Sequence, residues 1–121
     1  MTRLELTRGD THVIRFQRRD GAGTVVKEQP KNIWFTVKAD PYQPKPIIQK
    51  RLSNGSIVYD EETQYYRFVL LPSDTDGLKM NREYDYDIEV KTVSDIKTIA
   101  KGKLLITHEV THAADEVMDD G

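Results

Sequence analysis

The stretch Tyr84-Asp85-Tyr86-Asp87-Ile88-Glu89-Val90 alternates large apolar and charged side chains without a break. Successive side chains on a strand point to opposite faces, so a period of two buries one face and wets the other. The same period recurs along the chain. Leu4 and Leu6 flank Glu5, and Val13-Ile14-Arg15-Phe16 follows soon after. Ile33, Phe35 and Val37 alternate with Trp34, Thr36 and Lys38. A chain built this way folds as sheets.

Turn signals separate these runs. Asp20-Gly21-Ala22-Gly23 breaks the first, and Val93-Ser94-Asp95 precedes a last long run over residues 96–111. Pro41, Pro44 and Pro46 predict an extended, non-helical connection over residues 40–46, because proline lacks the amide donor that a central strand needs. Asn54-Gly55, between residues 47–51 and 56–59, predicts a tight hairpin. Gly102 inside the last run suggests a bulge or bend there. Seven or eight short strands at regular spacing indicate an antiparallel sandwich or barrel. The only helical hint is the single turn Pro72-Ser73-Asp74-Thr75-Asp76-Gly77-Leu78. In immunoglobulin-like sandwiches such a corner precedes a strand whose first tyrosine hydrogen-bonds back to it. Tyr84 is placed to do so, and Trp34 is the expected core aromatic. The expected fold is all-β: an immunoglobulin-like sandwich with its helical corner near residues 72–78.

The chain has 121 residues, one domain's worth, with 37% hydrophobic and 31% charged side chains. It contains no cysteine, which excludes disulfide scaffolds, cysteine zinc sites and thiol nucleophiles. A net charge of −2 offers no basic excess for nucleic acid. The longest apolar run, Phe68-Val69-Leu70-Leu71, is far short of the ~20 residues of a membrane helix. The N-terminus shows no signal-peptide core, so a soluble, unprocessed protein is expected. Residues 113–121 carry Asp115, Glu116, Asp119 and Asp120 and no basic residue. The chain thus divides into a sandwich over residues 1–112 and an acidic tail over residues 113–121, expected to be flexible, the alternative being that it orders on a partner's basic surface.

Candidate chemistry is sparse. His108-Glu109-Val110-Thr111-His112 spells H-E-x-x-H, which on a helix would grip zinc with both histidines and use Glu109 as base. The β-branched surroundings favour a strand instead, where His108 and His112 would lie ~13 Å apart, too far for one ion. Arg8-Gly9-Asp10 reads as a turn rather than an integrin tripeptide. Asp85, Asp87 and Glu89 share one strand face but stand about 7 Å apart in turn, wide for calcium. Asp74-Thr75-Asp76-Gly77 lacks the rest of a calcium loop, Asn54-Gly55-Ser56 is a turn before it is a glycosylation site, and Pro41-x-x-Pro44 is a loop. No catalytic, cofactor-binding or metal residue is assigned, and no enzyme is expected.

Residue order carries a resemblance. Leu6-Thr7-Arg8-Gly9-Asp10-Thr11, Ile33-Trp34-Phe35-Thr36-Val37-Lys38 and Pro46-Ile47-Ile48-Gln49-Lys50 come first. Leu70-Leu71-Pro72-Ser73-Asp74-Thr75-Asp76-Gly77-Leu78, Tyr84-Asp85-Tyr86-Asp87-Ile88, Lys101-Gly102 and Val110-Thr111 follow. Over residues 4–112 this series resembles the immunoglobulin-like domains of tailed-phage structural proteins, and among them the N-terminal domain of baseplate upper proteins. Those proteins continue into a stalk or receptor-binding region, and this sequence does not. The resemblance implies a non-enzymatic virion protein made in the host bacterial cytoplasm. It would dock on tail, baseplate, neck or head proteins, or on copies of itself, without nucleic acid, membrane or cofactor. Two other readings stand beside it: a small zinc hydrolase using His108, Glu109 and His112, and an adhesin or carbohydrate-binding sandwich.

Overall fold

The computed structural model describes residues 3–107. His108, Glu109, His112 and the acidic segment 113–121 lie outside the described residues, as do Val110 and Thr111.

Eight strands and one helical turn follow in chain order: β1 (Leu4–Thr7), β2 (His12–Phe16), β3 (Asn32–Lys38), β4 (Ile48–Arg51), β5 (Ile57–Asp60), β6 (Tyr65–Leu70), α1 (Pro72–Thr75), β7 (Glu83–Lys91) and β8 (Ile96–Thr107). They form two sheets, β1-β8-β7-β3-β4 and β2-β6-β5. This is the all-β sandwich that the alternation predicts, in immunoglobulin order: β2, β6 and β5 make the smaller sheet, while β8, β7, β3 and β4 are neighbours in the larger. One pairing departs from the antiparallel expectation. β1 runs parallel to β8, with Leu4 opposite Leu104 and Thr7 opposite Thr107.

The core is the sum of the inward-facing stripes. Ile33, Phe35 and Val37 of β3 are fully buried, as are Phe68 and Leu70 of β6 and Leu104 and Ile106 of β8. Tyr84, Tyr86, Ile88 and Val90 supply the β7 stripe. Phe35 and Phe68 join the two sheets, their ring centroids 4.4 Å apart. Trp34, the expected core aromatic, stands on the outer face between Arg51 of β4 and Glu89 of β7. The alternation itself explains this: Trp34 has the opposite parity to Ile33, Phe35 and Val37, and only one parity can face the core.

The corner forms as expected. The Asp74 carboxylate accepts a hydrogen bond from the Leu71 amide at 2.7 Å, capping α1, and pairs with Lys50 at 3.0 Å. Directly after the corner, the Lys79 amide donates to the hydroxyl of Tyr84, six positions past Leu78, at 2.8 Å.

Three local expectations change. Asn54-Gly55 does make a turn, with Gly55 at φ +82° in the left-handed region that glycine tolerates. The strands on either side are not a hairpin, however: β4 pairs with β3 and β5 with β6, so the turn carries the chain from one sheet to the other. The reason is burial, because Ile48 and Ile57 each close the core from a different sheet. The irregularity in β8 lies at Ile99 rather than Gly102. Ile88 faces Ala100 and Glu89 faces Thr98, which leaves Ile99 as the extra residue, while Gly102 stays in register with Tyr86. Residues 40–46 are non-helical but not simply extended, since Asp40 folds residues 40–43 into a turn by accepting from the Tyr42 and Gln43 amides.

Candidate functional site: two outer faces and an open edge

The outer face of the larger sheet collects the charged parity of β3, β4, β7 and β8. Cross-strand register places Asp85 between Lys103 and Lys38, and Asp87 between Lys101 and Thr36. Opposite charges in such pairs contribute a few tenths to about 1 kcal/mol each. The Lys103 ammonium lies 2.6 Å from the Asp85 carboxylate, a hydrogen bond that raises the lysine's pKa. Gln49 donates to the Thr36 hydroxyl at 3.2 Å and accepts from Arg51 at 2.8 and 3.0 Å. A shallow groove of about 430 Å³ runs between Lys38, Pro41, Asp85, Asp87, Lys101 and Lys103. Its charges alternate and largely answer one another, as on a solvated face.

Asp85, Asp87 and Glu89 do share this face, as the spacing predicts. Asp85 is taken by Lys103. Asp87 is pushed above the ordinary 3.8 mainly by burial and then by Glu89, with Lys38 and Lys101 opposing. Its folded form therefore holds a proton more tightly than the unfolded chain. Ionised Asp87 costs stability near neutral pH, and that cost fades as pH falls through the raised pKa toward 3.8. Asp87→Asn should raise the melting temperature near neutral pH, with the gain shrinking as the medium is acidified. A lower melting temperature for the asparagine variant near neutrality contradicts this account.

The smaller sheet presents a different surface. Arg15 of β2 lies directly across from Arg67 of β6, which neighbours Val58 of β5. Val13, Val58 and Tyr65 are exposed around them. A depression of about 530 Å³ between these arginines and the turn at Asp60, Glu61 and Glu62 brings acidic groups alongside. The Asp60 carboxyl is held below its ordinary range, chiefly by the backbone amide of Glu62.

Other sequence candidates fall into structural roles. Arg8-Gly9-Asp10 is the turn between β1 and β2, with Gly9 at φ +90° and the Asp10 amide bonded to the Thr7 carbonyl at 3.2 Å. His12 ties the two strands together through Nε2, which lies 3.1 Å from the Thr7 carbonyl oxygen. The Asn54 carboxamide oxygen accepts from the Ser56 amide and hydroxyl and so rigidifies the sheet-switching turn. Asp74 caps α1 and holds Lys50. Among the described residues, no three histidine, aspartate or glutamate side chains gather as metal ligands. His108, Glu109 and His112 are outside them.

A third feature has no motif in the sequence. Where β2 ends and β8 begins, the sheets part around a cleft of about 720 Å³, with apolar Phe16, Ile88, Val90 and Ile99 on its wall and charged Arg18, Arg19, Asp20, Glu28, Asp95 and Lys97 beside them. Strand lengths create it. β8 has twelve residues and β1 only four, so β1 flanks residues 104–107 alone. No protein-family model and no curated protein matches the chain.

Proposed function

We propose that the chain is a non-enzymatic structural protein of a phage or prophage virion, a sandwich that docks on other proteins of the tail, baseplate or neck. The observation that carries this reading is the ordered series of segments over residues 4–112 that resembles phage immunoglobulin-like domains. The architecture supports it. A sandwich of this kind leaves strand edges and loops available to a neighbour, and contact of that sort works by burial and main-chain pairing rather than by catalysis. Exposed apolar side chains at Tyr42, Val93 and Ile96 lie in loops or at a strand end, where a partner can cover them.

The test is composition of the particle. Particles purified from the phage or induced prophage that encodes the chain should contain it, at a ratio to the tail proteins that stays constant through repeated gradient purification. Particles that are infectious and complete without it overturn the reading.

A further inference from the structure

The turn that carries the chain from one sheet to the other holds an asparagine directly before a glycine, Asn54-Gly55. In such a pair the glycine nitrogen can attack the side-chain carbonyl of the asparagine, because no side chain on the second residue crowds the ring that forms. The carbon–nitrogen bond of the carboxamide breaks, ammonia leaves, and a five-membered succinimide remains. Water then opens the ring at one of its two carbonyls. Breaking the bond to the side-chain carbonyl gives aspartate. Breaking the bond to the main-chain carbonyl gives isoaspartate, whose backbone runs through the side chain and is one carbon longer. The other two asparagines, Asn32 and Asn81, precede Ile33 and Arg82, whose side chains crowd that ring.

Residues 53–55 are exposed, so water reaches them, yet the folded turn engages both reacting groups. The Gly55 amide donates to the Leu52 carbonyl at 3.1 Å. The Asn54 carboxamide oxygen accepts from the Ser56 amide at 3.0 Å and from the Ser56 hydroxyl at 2.6 Å. That hydroxyl oxygen is itself fixed by the Arg51 amide at 2.7 Å. The start of the turn is tied to β3, where the Leu52 amide donates to the Ile33 carbonyl and the Ser53 amide to the Asn32 carboxamide oxygen, each at 2.9 Å. Ring closure needs a carboxamide free to turn onto the Gly55 nitrogen, and a nitrogen released from its own hydrogen bond. Both wait on local opening of the turn. We propose that Asn54-Gly55 is a self-modification site, shielded in the native protein by these bonds and laid open in the unfolded chain, where Asn54 converts to aspartate and isoaspartate. The chemistry needs water and no partner, so it stands apart from the virion reading. Its consequence falls on the crossing between the sheets. An isoaspartate there lengthens the main chain between Ile48 and Ile57, core residues of the two sheets, and puts a carboxylate where a neutral side chain stood.

The test follows Asn54 by peptide mass and by enzymatic methylation of isoaspartate in the full-length protein, held in mildly alkaline buffer either native or unfolded in guanidinium chloride. In the unfolded chain Asn54 should convert well ahead of Asn32 and Asn81. In the native protein its rate should fall by about tenfold or more, as for a reaction that proceeds only from an opened segment. An unfolded chain in which Asn54 converts no faster than Asn32 and Asn81 overturns the site. Equal rates in native and unfolded protein overturn the shielding. Both comparisons use the natural sequence, so neither depends on a variant folding. Ser56→Ala removes the hydroxyl and keeps the amide, and should raise the native rate by about two- to tenfold, the range expected for one hydrogen bond, while Ser56→Thr restores the slow rate. A folded Ser56→Ala protein, with its β-sheet circular dichroism intact, that keeps the wild-type rate overturns the role given to the Ser56 hydroxyl.

Discussion

Phe35→Ala is expected to cost about 3–5 kcal/mol in urea unfolding, a large part of the stability of a domain this size. Phe35 is completely buried, and its ring meets Phe68 of the opposite sheet at 4.4 Å and Tyr86 of its own sheet at 6.0 Å. Truncation removes the contact that holds the layers together and leaves a cavity that two sheets cannot collapse into. The neighbouring substitution is the control. Trp34→Ala deletes a larger side chain, but one on the outer face with Arg51 and Glu89 for neighbours. It should cost clearly less than Phe35→Ala. If the two losses were equal, or reversed, the assignment of parity on β3 would be wrong.

Tyr84→Phe should cost about 1–2 kcal/mol, a large effect for the loss of a single oxygen atom. The hydroxyl accepts from the Lys79 amide and fixes the path from α1 into β7. Phenylalanine keeps the ring, the burial and the guanidinium of Arg82 stacked 5.0 Å from its centroid. The measured loss therefore isolates the hydrogen bond. Equilibrium unfolding with an unchanged denaturant slope should show it; a difference within a few tenths of a kcal/mol would mean the corner is held by its packing alone.

Side-chain parity was the most legible property of the chain. The β7 stripe, the β3 stripe and the corner before Tyr84 could all be read locally, because each is set by neighbours within a few residues. Even Trp34 was legible by parity, although its size suggested the core. The Asn54-Gly55 turn was not, since turn chemistry specifies a reversal and says nothing about which sheet receives the next strand. The bulge was misplaced for a related reason: Gly102 permits an irregularity, but the register of Ile88 and Glu89 against β8 puts it at Ile99. The cleft could not be read at all. It arises from a mismatch between the lengths of β1 and β8 and from their parallel pairing, which leaves no local trace.

That parallel pairing also governs when the sandwich can finish folding. The Thr107 hydroxyl donates to the Leu6 carbonyl across 101 positions of sequence, and the whole β1–β8 ladder spans a separation of the same order. Closing so long a loop carries an entropic cost before any of its contacts form. On the ribosome β1 has no strand to pair with among the described residues until β8 has emerged, so its ladder forms only after about 100 further residues have been made. Completion of this fold thus waits on the synthesis of β8, the last strand among the described residues.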